Sequence, residues 1–359
     1  MARSLSARPI LEVAADLGLT PAQVVPYGFD KAKITLDALQ SERPPGRLVL
    51  VPAITPTDAG EGKTTTSIGL AQGFARLGQG VCLALREPSL GPTFGQKGGA
   101  TKCGRARVVP FANIAHGCNS VVATTLALAR ADGVVTEAGF GFDLGAEKFC
   151  DITCVSAGLD TAAVVLVANV RALKLHGGVA KTALTQSDPG AVERGLGNLA
   201  KHVENIRIFG ESPVEALNPF GADTDNEMAV VRTWCEAAGV PFALSDVFAE
   251  GGEGGVALAE TVAAHAEQRS KPLTLLYDWN EPIPVKMEKV ARATYGVQEV
   301  TWTKEAQRAL APGGTHEPGG WQRGAGARRA GINHFGARVL LQLVGPVREC
   351  CGPCTNKLD

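Results

Sequence analysis

The sequence has no apolar run long enough to cross a bilayer. Its first ten residues, Met1-Ala-Arg-Ser-Leu-Ser-Ala-Arg-Pro-Ile, lack the apolar stretch of a secretory signal. It has almost no net charge (formal charge -1), so no global field favours nucleic acid or an anionic membrane. The arginines near the end, Arg323, Arg328, Arg329 and Arg338, are not interleaved with aromatics, as a nucleic-acid strand would require. Cysteine is present at nine positions without regular spacing, which in a chain of 359 residues without a signal reads as reduced thiols rather than a disulfide framework. The expectation is a cytoplasmic protein with no nucleic-acid or membrane partner.

What is present is an ordinary globular composition, 45% hydrophobic and 20% charged, with 43 glycines. In an α/β protein many glycines sit in tight loops at strand ends, where backbone approaches ligand. Residues 9–40 read as a helical lead-in. Pro9 precedes the amphipathic Ile10–Leu17, Gly18 closes it, and Thr20-Pro21 restarts a helix. The first strong strand is Leu48–Ile54, apolar almost throughout, as expected of a strand covered on both faces. Alternation follows: helix Thr65–Leu77, strand Val81–Leu85, helix Ser120–Ala131, strand Ala162–Val170 and helix Gly190–Ile206. It continues with strand Val214–Leu217, helix Asp225–Ala238, strand Pro241–Leu244, helix Val256–Arg269 and strand Leu273–Tyr277. Such alternation predicts an α/β fold, a P-loop NTPase-like and mainly parallel sheet with helices on both faces. The predicted division is a lead-in (1–40), a nucleotide-binding domain (41–270), a short remnant of a further domain (271–310) and an irregular Gly/Arg-rich tail (311–359).

The most informative stretch is Thr55-Pro56-Thr57-Asp58-Ala59-Gly60-Glu61-Gly62-Lys63-Thr64-Thr65-Thr66, directly after a strand and opening a helix. A triphosphate needs that context. Glycines let backbone N–H groups turn inward, a helix N-terminus adds positive potential, and a lysine reaches the outer phosphates. Thr57, Asp58, Ala59, Gly60, Glu61, Gly62, Lys63 and Thr64 are therefore candidate ATP contacts, with the Thr64 hydroxyl placed for Mg2+. The match to G-x-x-x-x-G-K-[ST] is imperfect, because Thr57 stands where the first glycine would be. A surface turn with a solvated lysine is the bland alternative. Arg86 follows the second strand, where the carboxyl ends of strands in open α/β sheets bind ligands; it can hold an anion or form an ion pair with Glu87.

Lesser signals carry less. Cys351-Gly352-Pro353-Cys354 has the spacing of a redox motif but only five residues after it, too few for the helix that lowers a thiol pKa. His116 and Cys118 are two ligands short of a tetrahedral metal site. Glu137, Asp143 and Glu147 are carboxylates in a glycine-rich stretch, open to Mg2+, to a monovalent cation or to structural hydrogen bonding.

Several blocks together resemble formate–tetrahydrofolate ligase. They are Pro9–Leu17, Tyr27–Ile34, Thr55–Thr66, Arg86–Ala100, Pro110–Ser120, Thr136–Asp151, Arg171–Lys181 and Glu250–Gly255, in the family's order. The resemblance implies a two-step ligation in one-carbon metabolism. Formate attacks the γ-phosphate of MgATP to give formyl phosphate and ADP; N10 of tetrahydrofolate then attacks the formyl carbon and expels phosphate. It also implies catalytic roles for Lys63 on the outer phosphates and Arg86 on formate or formyl phosphate. Asn113, His116 and Gly117 would line the pocket of the intermediate. Phe220 and Phe248 would clamp the pterin, although the family commonly has Trp at the second position. Either phenylalanine read alone would be core. A homo-oligomer is implied as well.

The chain departs from the family twice. Val108-Val109 runs straight into Pro110-Phe111, where the family carries a long insertion, and the family's ending is missing beyond about Leu310. Three function classes stay open: the ligase, a catalytically inactive ATP-binding or assembly module of the same family, and a generic P-loop NTPase. Folate binding separates the first from the others.

Overall fold

The computed structural model describes residues 8–57, 60–85, 102–103, 106–107, 120–268, 272–302, 304, 306–307 and 342–344. Its centre is a six-stranded, all-parallel sheet. In chain order the strands are β1 (Arg47–Val51), β2 (Val81–Ala84), β3 (Gly133–Glu137), β4 (Ala163–Ala168), β5 (Pro213–Leu217) and β6 (Phe242–Leu244). In space they run β6-β5-β4-β1-β3-β2.

The handedness of parallel crossovers explains the layers. A crossover between parallel strands is right-handed in nearly every case, so movement in opposite directions along a sheet uses opposite faces. Only β1 to β2 moves one way, and its helix α1 (Lys63–Arg76) lies alone on its face during that crossover. Every later step moves the other way and puts its helices on the opposite face: α2 (Val121–Arg130), α3 (Val170–His176), α4 (Pro189–Ile208) and α5 (Asp225–Ala238). The exposed remainder of the α1 face is covered by α6 (Val256–Glu267), which follows the last strand. Alternate residues of each strand feed the two cores. Val49, Val51, Val165 and Val167 pack under Leu70, Phe74 and Leu258. Leu48, Leu50, Val164 and Leu166 pack under Phe142, Leu173, Leu199 and Val203. Fully burying each such side chain contributes about 2 kcal/mol.

Helix ends follow local chemistry. Thr224 accepts from the N–H of Glu227, whose carboxylate accepts back from the Thr224 N–H, and Gly239 closes α5 in the left-handed conformation. Asn169 and Asp188 cap α3 and α4 with side-chain oxygens.

Three expectations change. Thr20-Pro21 opens only a single turn, Pro21–Gln23, after which the β-branched pair Val24-Val25 enters a hairpin, Val24–Pro26 against Ala32–Ile34. The strand β3 and the helix α3 were not expected. Leu273–Tyr277 is not a strand: its amides go to the helical layer, from Thr274 to the Phe209 carbonyl (2.8 Å) and from Leu276 to Asp151 Oδ1 (2.9 Å). The segment is apolar enough for a strand but lies outside the sheet. It leads into α7 (Ile283–Tyr295). Among the described residues Cys82, Cys150, Cys154 and Cys235 are free thiols, and no helix is long and apolar enough to cross a membrane. The Cys351–Cys354 motif and the arginines of the tail lie outside the described residues.

Candidate functional site

The strand order places a switch point at β1. Its connection leaves over one face while those of its neighbours, β3 and β4, leave over the other, which opens a crevice beyond the carboxyl end of β1. Ligands of open α/β sheets bind in such crevices. The described residues that fill it here are Thr55–Thr57 and Gly60–Thr64.

Glycine is required twice in this loop. Gly60 (φ 75°) and Gly62 (φ 86°) are left-handed, and Gly62 is the residue before α1. A β-carbon on Gly62 would also come within 2.3 Å of the Asn218 amide nitrogen. The loop carbonyls are held by the strand ends next door. Asn169, just past β4, donates to the Gly60 carbonyl (3.4 Å), and Asn218, just past β5, donates to the Glu61 carbonyl (3.3 Å). Carbonyl dipoles turned toward a triphosphate would repel it, so tying them back suits an anion site.

Thr55, where the loop begins, is clamped by the helical layer. Its N–H donates to Asn198 Oδ1 (3.3 Å), its hydroxyl accepts from Asn198 Nδ2 (2.8 Å) and meets His202 Nε2 (3.0 Å), and its carbonyl meets His176 Nε2 (3.2 Å). Burial lowers both histidines, His202 to about 4, so His202 works as a neutral ring.

Of the predicted contacts, Thr57, Gly60, Glu61, Gly62, Lys63 and Thr64 share this loop. Lys63 opens α1, with its ammonium 3.8 Å from the Glu61 carboxylate. Glu61 is 3% exposed and accepts from the Thr57 N–H. Burial raises its pKa, opposed by Lys63 and by the Thr57 hydrogen bonds. The Thr64 hydroxyl donates to Glu137 Oε2 (2.7 Å) at the end of β3. That pairing of a hydroxyl with a carboxylate from the adjacent strand is a hard, all-oxygen arrangement of the kind Mg2+ prefers, so the residues present fit the ion. Glu137 was legible only as one of three carboxylates. The structure separates them: Glu147 and Asp151 form a buried pair, both raised chiefly by burial, Asp151 to about 7. Asp143 lies against Gly141, close to His202. Among the described residues no group of three or more His, Cys, Asp or Glu converges as a metal site.

The two phenylalanines lie on the same edge of the sheet. Phe220 follows Asn218 beyond β5; the Arg171 guanidinium stacks 4.2 Å from the Phe220 ring centre, and the Phe220 backbone N–H donates to Asp223 Oδ2 (2.8 Å). The fully buried ion pair of Lys174 and Glu227 (2.7 Å) ties α3 to α5 just below this loop. Phe248 lies beyond β6 in the short helix Val247–Glu250 and is 67% exposed. Neither is core. Asp58, Ala59, Arg86, Asn113, His116 and Gly117 lie outside the described residues.

Among solved structures the chain is similar to a point mutant of L. casei FPGS, with 14% identity over 80% of this chain and 67% of that one, at a TM-score of 0.29. It is similar also to Helicobacter pylori folylpolyglutamate synthetase (10% identity, 83% and 80% covered, TM-score 0.28) and to the signal recognition particle receptor FtsY from Elizabethkingia anophelis in complex with GDP (13%, 79% and 70%, 0.23). Overlaps this loose carry no argument about function. The sequence does: residues 1–110 and 109–318 match the family described as formate--tetrahydrofolate ligase. With most of its length matched, and an α/β sheet presenting a glycine-lysine-threonine loop at its switch point, the chain belongs to the formate–tetrahydrofolate ligase family.

Proposed function

We propose that the chain binds MgATP on residues 57–64 and joins formate to tetrahydrofolate through formyl phosphate, giving 10-formyltetrahydrofolate. The observation that carries this reading is the loop itself: Lys63 at the head of a 14-residue helix, Thr64 bonded to Glu137, and the Gly60 and Glu61 carbonyls tied back by two asparagines.

The first step brings two anions together, so neutralising charge must be in place beforehand. Lys63 and the N-terminus of α1 supply it for the outer phosphates. Thr64 and Glu137 would hold Mg2+, which when bound neutralises charge on the β- and γ-phosphates. A formate oxygen attacks the γ-phosphorus as the bond to ADP breaks, and Arg86 is assigned to hold that carboxylate. In the second step N10 of tetrahydrofolate attacks the formyl carbon, phosphate leaves with the electron pair of its C–O bond, and the N10 proton passes to the departing phosphate. Asn113, His116 and Gly117 are assigned to the intermediate, and Phe220 and Phe248 to the faces of the pterin, an apolar slot that also keeps water from an acyl phosphate. A monovalent cation and a homo-oligomer belong to the same proposal.

A second reading is an ATP-binding module of the family that does not turn over. The two matched stretches meet at residues 109–110, where a long family segment is missing from the sequence. Titration calorimetry with MgATP and an assay for 10-formyltetrahydrofolate separate the two. Binding that is lost in Lys63→Ala, together with product, supports the ligase. Binding without product supports the module. Wild-type protein that binds no MgATP overturns both.

A further inference from the structure

Residues 273–279 run over the helical layer as a single strap before α7. Two of its hydrogen bonds end on one residue. The Leu276 N–H donates to Asp151 Oδ1 (2.9 Å), and the Trp279 indole N–H donates to the Asp151 carbonyl (2.7 Å). Asp151 lies in the helical segment Phe149–Cys154, between β3 and β4, and is fully buried. Glu147, four residues earlier, is buried against it and hydrogen-bonded to it. Tyr277 of the strap is buried beside both carboxyls, and its hydroxyl has no hydrogen-bond partner.

Two adjacent carboxyls out of water resist ionising together. Burial raises both, and the Leu276 N–H, which favours the charged form of Asp151, does not overcome it. The groups around the pair leave this balance in place. On its own segment Lys148 lowers Glu147, while Asp143 adds to the rise. Cys150 is a buried thiol that the pair, Cys154 and Glu211 all raise, and Glu211 accepts from the Thr161 hydroxyl (2.6 Å). On the strap side, Asp160 accepts from the Leu273 N–H, Asp278 accepts from the Asn280 N–H, and Glu281 pairs with Lys289. The Lys286 ammonium of α7 donates to the Trp279 carbonyl and lies 5.5 Å from the Tyr277 ring centre. An acid raised by folding contributes fully below its unfolded value, and the contribution is lost as pH rises through the folded one. For Asp151 that loss runs from the ordinary value of 3.8 to about 7. For Glu147 it continues to higher pH.

We propose that Glu147 and Asp151 form a proton-operated latch: while the pair carries protons it holds residues 273–279 on the helical layer, and as it loses them the strap lifts and water reaches the two carboxylates. No nucleotide or folate contact enters this argument, so it stands apart from the function proposed above.

The test is hydrogen exchange on the full chain at a series of pH values up to the neutral range, with each rate corrected for its intrinsic pH dependence. Peptides covering residues 273–279 report on the strap, and peptides covering β4 report on the sheet. In wild-type protein the opening constant of the strap should rise about ten-fold per pH unit for each proton the pair holds, while β4 changes far less. Asp151→Asn keeps an oxygen for the Leu276 N–H but has no proton to lose, so it should remove about one factor of ten per unit from that slope. Asp151→Asn combined with Glu147→Gln should flatten it. Should a variant fail to fold, the wild-type profile still decides. A strap whose corrected exchange is independent of pH overturns the latch. So does a double variant as steep as wild type. A rise of equal size in β4 overturns it too, because the whole molecule would then be opening and not the strap.

Discussion

The tripeptide Gly-Glu-Gly occurs as Gly60-Glu61-Gly62 in the phosphate loop and again as Gly252-Glu253-Gly254 beyond β6. In the first copy both glycines are left-handed and the glutamate between them is turned inward, 3% exposed. In the second neither glycine has a positive φ, and the glutamate points out, 70% exposed, to an ion pair with Arg76 (3.0 Å). Glycine serves close packing there. A β-carbon on Gly254 would meet the Asp246 carbonyl oxygen at 2.3 Å, and one on the neighbouring Gly255 would meet the Gly69 carbonyl oxygen in α1 at 2.2 Å. The same letters thus encode a conformation in one place and a contact in the other. Glycine richness by itself identifies neither.

Substitution separates the two uses. The largest loss of stability is expected at Gly254→Ala, because the obstructing atoms are backbone and cannot swing away: about 3 kcal/mol by urea unfolding, with MgATP affinity of the folded fraction kept. Gly62→Ala comes next at about 2 kcal/mol, since it combines a left-handed backbone with a clash that the Asn218 side chain can partly relieve. Its signature is the reverse of the first: nucleotide affinity should fall more than stability. Equal behaviour of the two variants would remove the distinction.

The sequence carried the loop and most of the fold, and the reasons for the exceptions are physical. The buried strand β1, the lysine opening α1 and the helix α5 announce themselves locally, through an apolar run, a glycine-lysine-threonine loop and helical periodicity. The strand β3 did not, although Val134-Val135-Thr136 is β-branched throughout: it directly follows the helix α2. With it went the role of Glu137, which depends on β3 lying beside β1. The anchors Asn169 and Asn218 are more than a hundred residues from the carbonyls they hold, so no spacing rule could link them before the strand order was known. Leu273–Tyr277 failed for the opposite reason. Its apolar composition suits a strand, but Asp160 and Asp151 take two of its amides on the outside of the helical layer.

Smaller effects sharpen the comparison further. Gly60 is left-handed with nothing within 4 Å of the point a β-carbon would occupy, so Gly60→Ala should cost about 1 kcal/mol and Gly60→Asn about half of that, Asn being the residue that best tolerates this conformation.

The smallest effect lies with the two glutamates. Burial holds the Glu61 pKa above its ordinary value of 4.5, so the folded protein keeps this proton where the unfolded chain has lost it. The resulting contribution is complete below the unfolded value and is lost as pH rises through the folded one. In the absence of nucleotide, stability measured from pH 4 upward should therefore decline more steeply in wild-type protein than in Glu61→Gln, which has no proton to lose. Glu253→Gln should lower stability by less than about 0.5 kcal/mol, since it removes one exposed ion pair. A bound triphosphate would add negative charge beside Glu61 and raise its pKa further. Binding of MgATP should then take up a fraction of a proton in wild-type protein and less in Glu61→Gln, which calorimetry in buffers of different ionisation enthalpy resolves. Equal uptake in the two proteins would mean that the glutamate turned inward by its glycines does not face the nucleotide.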